Sequence, residues 1–145
     1  MKYSGQFVIC IHKQWSGVLV LIAGVGIDIV EIKRIKNAME RNDKFLEKIF
    51  TTLELDYLRS RNMRPEYVSG RFAAKEAVAK ALGTGFRGFD FRDVEIDRTT
   101  LGKPIVNLKG KAKLIAEGEG EYSIHLSISH GQESAVAYAI LEVEK

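Results

Sequence analysis

Between Pro65 and Gly83 the chain reads PEYVSGRFAAKEAVAKALG, and this segment restricts the fold more than any other. Proline suits the first turn of a helix and alanine is the best helix former. Gly83 is a natural residue just past a helix end, where φ turns positive. The spacing therefore predicts a helix from Pro65 to Leu82, followed by a loop over Gly83–Gly88. Around it, strand-like and helix-like runs alternate without a repeat. FVICIH at 6–11 and the β-branched run 18–23, continuing through Gly24–Val30, read as strands. Ile32, Ile35, Met39, Leu46 and Ile49 recur at helical spacing, and Asn42-Asp43 is a candidate break. Thr51-Thr52-Leu53-Glu54 has the form of a capping box that opens a helix through Leu58. Val94–Ile96, Ile105–Leu108, Tyr122–Ser129 and Ala135–Val143 read as strands, and Lys111–Glu117 as a short helix. Turns are expected at Gly102-Lys103-Pro104 and at Gly131. Such a mixed order predicts an α+β domain.

The 145 residues fit one domain, and a single cysteine, Cys10, rules out an internal disulfide and a cysteine-based metal cluster. A reducing, cytoplasmic setting is the expectation. The longest uncharged run, Gln14–Ile27, holds 14 residues with three glycines. A spanning helix needs about 20 apolar residues, so no membrane anchor is expected. The formal charge is +3, and residues 1–20 contribute two lysines with no acid. Beyond them the charge is local: Arg59–Lys75 carries five basic residues against Glu66, and Glu117–Lys145 carries six glutamates against one lysine. Local basic patches on a near-neutral body suit a small anionic ligand or an acidic protein better than a nucleic-acid duplex.

Four features carry chemistry. Asp28 lies in an apolar segment. With Glu31 three residues on, it fits a helix N-cap, the reading that pattern favours, and a hard-metal ligand at a strand end is the competing one. Glu76 and Lys80 share a helix face at i, i+4, where the ordinary reading is a surface ion pair. Small neighbours, Ala73, Ala77 and Gly83, leave room for a metal on Glu76 and a phosphate on Lys80. His130 closes the alternating strand, as a turn residue or as a group that donates to phosphate or takes a proton near neutral pH, whereas His125 reads as a surface residue. Arg34, Ala38, Arg41, Phe45 and Lys48 fall on one face if the helix is continuous. That face is a solvated surface or a basic docking surface with an aromatic anchor. No G-x-S-x-G elbow occurs, and Gly24-Val25-Gly26 lacks the third glycine of a dinucleotide fingerprint.

In order along the chain, Gly24-Val25-Gly26-Ile27-Asp28-Ile29-Val30-Glu31, Phe50-Thr51 with Glu54, Gly70-Arg71-Phe72-Ala73-Ala74-Lys75-Glu76-Ala77 with Lys80, Gly83-Thr84-Gly85, Gly102-Lys103-Pro104 and Ser127-Ile128-Ser129-His130 form a set. The set resembles the holo-[acyl-carrier-protein] synthases, over roughly residues 22–141. The resemblance implies an α+β domain with an antiparallel sheet and packed helices. It also implies transfer of 4′-phosphopantetheine from coenzyme A to a serine of apo acyl carrier protein, releasing adenosine 3′,5′-bisphosphate, as part of fatty acid synthesis. It implies a homotrimer with sites between subunits. It assigns Asp28 and Glu76 as magnesium ligands, and Asp28, Glu76, Lys80 and His130 as the catalytic set. Coenzyme A would be held by Arg71, Lys80, Gly83, Lys103, Pro104 and His130. Arg34, Arg41, Phe45 and Lys48 would dock the carrier protein. The attacking serine comes from the partner, which accounts for the missing nucleophile. Three candidates remain for the general base: a metal-held water, ranked first, Glu76 and His130.

The same resemblance places Asp28 about eight residues from the start of such a chain, so residues 1–20 are expected to be an extension, for example from a misassigned start, preceding a domain over 21–145. Two rival readings stand beside the transferase. One is another magnesium-dependent phosphate-transfer or pyrophosphate-cleaving enzyme. The other is a non-catalytic module that binds an acidic protein or RNA through the 34/41/45/48 face.

Overall fold

β1 (Val20–Glu31) runs as the edge strand of an antiparallel sheet of order β1-β5-β4, with β5 (Ser134–Glu144) between it and β4 (Glu121–His130). The computed structural model describes residues 17–145, so the strand expected at 6–11 lies outside the described residues. Four helices follow β1: α1 (Ile32–Arg41), α2 (Phe45–Ile49), α3 (Thr52–Ser60) and α4 (Pro65–Ala81). A 3-10 turn at Phe91–Asp93 leads into a two-stranded ribbon of β2 (Val94–Arg98) and β3 (Pro104–Leu108), and α5 (Gly110–Glu119) returns the chain to β4. Among the described residues, no helix is long and apolar enough to cross a membrane.

α4 is the axis of the molecule. Val68, Ala73, Ala74, Ala77, Val78, Ala79 and Ala81 on it are all buried. The helix can sink this far because β1 presents glycine where the two cross. A Cβ on Gly26 would stand 1.9 Å from the Ala77 carbonyl oxygen, and one on Gly24 1.9 Å from that of Ala81. Ala73 and Ala77, the small residues beside Glu76, are buried, and Ala77 lies against the strand at Gly26.

Two helix boundaries differ from their expected form. The capping-box-like pair of Asp28 and Glu31 does not form. The β1–β5 ladder continues through Asp28↔Ala137 to Glu31↔Ser134, so Asp28 is held extended, and α1 starts at Ile32 without a side-chain cap. The Asn42-Asp43 break is real: it separates α1 from α2, so the face from Arg34 to Lys48 is not one continuous helix face. At Thr51 the capping box does form. The Thr51 N–H donates to Glu54 Oε2 at 2.9 Å, and the Glu54 N–H donates to Thr51 Oγ1 at 3.4 Å.

Candidate active site

The candidate residues fall into two groups on either side of α4. Nine residues separate Arg71 from Lys80, about half a turn around the axis and about 13 Å along it.

The first group gathers at the C-terminal end of α4. On β1, even positions face the helix, so Asp28 follows Gly24 and Gly26 onto that side. Lys80 reaches across from α4, and its Nζ donates to Asp28 Oδ1 at 2.9 Å and to the Ile27 carbonyl oxygen at 2.8 Å. The expected i, i+4 surface pair is thus replaced by a cross-element one: Lys80 pairs with Asp28 rather than Glu76. Glu76 is half-buried beside them. Burial pushes its carboxyl above the ordinary value, and the charge of Asp28 pushes the same way, against the pull of Lys80 and Arg34. The arrangement sets two carboxylates beside one ammonium, and the charge of Asp28 disfavours that of Glu76. Gly83 ends α4 as expected, with φ +83° and its N–H on the Lys80 carbonyl oxygen at 2.9 Å.

Arg34 joins this group to a neighbouring groove. The groove is lined by Glu31, Lys33, Arg34, Asn37, Ala38, Arg41, Asn42 and Phe45. It brings together Arg34, Arg41 and Phe45 even though the helix breaks between them, because the turn at Asn42 folds Phe45 back toward α1. Lys48, one turn further along α2, is not among the lining residues.

The second group forms a cavity of about 260 Å³ at the other face of α4, walled by Tyr57, Arg61, Glu66, Tyr67, Gly70, Arg71, Arg98, Gly102, Pro104, Ile128 and His130. Arg71, Pro104 and His130 meet here. Arg71 is buried and donates to the Ile96 carbonyl oxygen. Its desolvation lowers its hold on the proton. The His130 ring meets Tyr67 edge-on, centroids 5.6 Å apart. Lys103 sits at the tip of the β2–β3 connection, its N–H on Thr99 Oγ1 at 3.1 Å, and does not line the cavity. His125 is half exposed on β4 with Nε2 3.6 Å from Glu142 Oε2, a surface residue as read.

Tyr57, Arg61, Glu66, Tyr67 and Arg98 were missed as wall residues. Arg61 and Glu66 lie within the basic run from Arg59 to Lys75, which was a usable signal. Arg98 had none, since only the pairing of β2 with β3 brings it to Tyr57.

Fold and residue groups together define a small α+β transferase domain: a family model described as the 4′-phosphopantetheinyl transferase superfamily matches residues 24–139. The chain is 64% identical over 125 residues to the holo-[acyl-carrier-protein] synthase of Clostridium kluyveri, covering 86% of this chain and 93% of that protein. A crystal structure of a holo-(acyl-carrier-protein) synthase from Bacillus anthracis, in complex with CoA (3′,5′-ADP), superposes with a TM-score of 0.70 at 41% identity, covering 84% of this chain and 97% of that one. The Helicobacter pylori holo-[acyl-carrier-protein] synthase in complex with coenzyme A matches with a TM-score of 0.71 at 30% identity, over 81% and 98% of the two chains. The chain belongs to the holo-[acyl-carrier-protein] synthases, a family of phosphopantetheinyl transferases, and is an enzyme of that class.

Proposed function

We propose that this enzyme transfers the 4′-phosphopantetheine arm of coenzyme A to a serine hydroxyl of apo acyl carrier protein, with magnesium, and serves fatty acid synthesis in the cytoplasm. The observation that carries the reading is the continuity at Arg34. This residue lines the basic groove and its charge also acts on the Glu76 carboxyl, so the groove lies on the same side of the molecule as Asp28, Glu76 and Lys80.

The reaction balances on these groups. The serine oxygen attacks the pantetheine-side phosphorus of the pyrophosphate and loses its proton to a base. The phosphorus–oxygen bond to the adenosine 3′,5′-bisphosphate breaks, and that product leaves with the electron pair. Such chemistry is mostly positioning and charge stabilisation. Asp28 and Glu76 offer oxygen donors alone, which magnesium prefers, and a divalent cation would offset both the burial and the Asp28 charge that raise Glu76. Among the described residues no group of three or more His, Cys, Asp or Glu could hold a metal. Two carboxylates fit magnesium completed by waters and substrate phosphate oxygens. When bound, the ion would supply neutralising charge for the pyrophosphate. Lys80 would leave Asp28 for a phosphate oxygen and steady the leaving group. Arg71, Pro104 and His130 would hold the coenzyme A body.

One protomer carries the two groups on opposite faces of α4, so a complete site calls for the cavity of one copy beside the carboxylates of another. The sheet offers a surface for that contact. On its outer face Val25, Ile27, Ile29 and Tyr138 are 54%, 59%, 71% and 43% exposed, an apolar patch that a closed homotrimer would cover. Arg34, Arg41 and Phe45 would dock the carrier's acidic surface, with Lys48 at most at the rim. The domain would span 21–145, with residues 1–20 outside it.

Intact mass spectrometry tests the activity. Apo carrier protein incubated with the enzyme, coenzyme A and magnesium is expected to gain the mass of one phosphopantetheine. No gain with a carrier that another transferase loads would overturn the reading.

A further inference from the structure

Lys80 has two carboxylates within reach and takes one. Glu76 lies one turn before it on α4, the ordinary partner at i, i+4. The ammonium crosses to β1 instead, where Nζ donates to Asp28 Oδ1 at 2.9 Å and to the Ile27 carbonyl oxygen at 2.8 Å. Both acceptors are held in place, because the β1–β5 ladder pairs Ile27 with Tyr138 and Asp28 with Ala137. The two ends of the contact differ in exposure: the Lys80 side chain is 49% exposed and that of Asp28 16%. The ammonium therefore keeps much of its water, while the carboxylate it covers has little. The contact acts chiefly on Asp28, by filling one of its oxygens and setting a positive charge against it.

That contact opposes a metal. A divalent cation on Asp28 needs a carboxylate oxygen and meets a charge of its own sign already there. Turning Lys80 out into water gives up a charged acceptor and leaves two cations side by side. Turning it onto a phosphate oxygen does neither, since the ammonium keeps a charged acceptor and the anion offsets both cations. Arrival of a phosphate group thus occupies Lys80 and frees Asp28 in one event. Two ligands that must open the same contact assist each other, and by linkage the assistance is mutual.

We propose that the Lys80–Asp28 pair is a latch. It keeps a divalent cation off Asp28 in the free enzyme, and it opens when the pyrophosphate of coenzyme A takes the ammonium. The free enzyme accordingly holds the metal weakly, and metal and coenzyme A bind as coupled ligands. The identity of these two occupants rests on the reading proposed above; the latch rests on the pair.

Mn²⁺ as a stand-in for magnesium tests the latch without turnover, with the free ion counted by electron paramagnetic resonance. It is titrated into the full chain with and without saturating coenzyme A, corrected for the ion that coenzyme A binds alone. The proteins are wild type, Lys80→Met, Lys80→Arg, Arg34→Met and Glu76→Gln. Lys80 and Arg34 are exposed, so their variants should fold. Wild type is expected to bind Mn²⁺ about fivefold or more tighter with coenzyme A than without it, within the usual range of such couplings. Lys80→Met is expected to tighten binding to the free enzyme by a similar factor and to narrow the gap between the two states. Lys80→Arg, which keeps a cation for Asp28, is expected to stay near wild type. Arg34→Met removes a nearby charge that makes no contact with Asp28, and is expected to change both states alike. A Lys80→Met variant that tightens both states equally, or neither, overturns the latch. If Glu76→Gln loses Mn²⁺ in that case, the carboxylates remain the metal ligands and the latch alone falls. If apo carrier protein gains no phosphopantetheine while the Lys80-dependent gap persists, the transferase reading falls and the latch stands.

Discussion

Lys75 Nζ meets three acceptors inside the protein: Glu54 Oε2 at 2.8 Å, the Phe91 carbonyl oxygen at 2.9 Å and the Val94 carbonyl oxygen at 2.6 Å. Glu54 Oε1 in turn accepts the Ile96 N–H at 2.9 Å, so two charged residues with no exposure tie α3, α4 and β2 together. Burial lowers the proton affinity of Lys75, and Glu54 resists that. Lys75→Met should cost about 3–5 kcal/mol, because it strands a buried carboxylate. Adding Glu54→Gln should recover part of the loss, which urea melts would show; additive losses would mean the pair is not coupled. The capping box at Thr51 was legible because its partners are three residues apart. That Glu54 also anchors the core was not legible, since Lys75 and Ile96 reach it only through tertiary packing. Glu95 gives a pH test. Burial pushes its carboxyl up, but hydrogen bonds from Lys109, at 2.7 Å, and from Thr51 and Asn107 outweigh this and hold it below the usual range. Its folded value is therefore below the unfolded one. The stability it contributes is present above about pH 4.3 and is lost as pH falls through the folded value. Glu95→Gln should melt lower than wild type at pH 7 and fall less steeply toward pH 3. Parallel curves would sink the assignment.

β1 and α4 are matched to each other, and each was read correctly only in part. The helix from Pro65 was plain in the sequence, because alanine content, an N1 proline and a terminal glycine agree. Its buried depth was not, since small residues look the same whether they make room for a ligand or for a strand. The glycines of β1 decide between these. Gly26→Ala places a methyl group on the Ala77 carbonyl oxygen. Backbone on both sides cannot yield as a side chain would, so a loss of about 1–3 kcal/mol or more is expected. Asp28, on the next turn of the pleat, should shift with the strand, so the same variant should also slow phosphopantetheine transfer beyond the loss in folded fraction. An unchanged melting temperature would mean that the helix and strand part easily. On α1 the period from Arg34 to Arg41 was legible, but Lys48 was not separable from it, because the break at Asn42 could be suspected and its direction could not. Arg34→Ala and Arg41→Ala should raise the KM for carrier protein with a smaller change in kcat, and weaken its salt dependence. Lys48→Ala should do so less. Equal effects at all three positions would return the docking face to a general electrostatic one.

At the scale of the whole molecule the decisive fact is the opposition across α4. A single helix carries Arg71 toward the cavity and Lys80 toward Asp28, and no bending of one protomer brings faces half a turn apart onto the same side of α4. Sequence order could not reveal this, because it shows which residues an activity needs and not which copy supplies them. The apolar outer face of the sheet, with Ile27 and Tyr138 paired across β1 and β5, gives copies a reason to associate. If each site takes its carboxylates from one copy and its cavity from the next, two dead variants should complement each other. Glu76→Gln removes a carboxylate and leaves the cavity; His130→Ala does the reverse. Each homo-oligomer should be inactive or nearly so. Subunits mixed by co-expression should regain activity, since about a quarter of the sites in a random ring combine an intact half from each parent. Mixing the purified proteins without subunit exchange should give no recovery, which separates shared sites from a contaminating enzyme. A mixed population that remains dead, while native mass spectrometry shows hetero-oligomers, would place both groups in one protomer's site and leave assembly without a catalytic purpose.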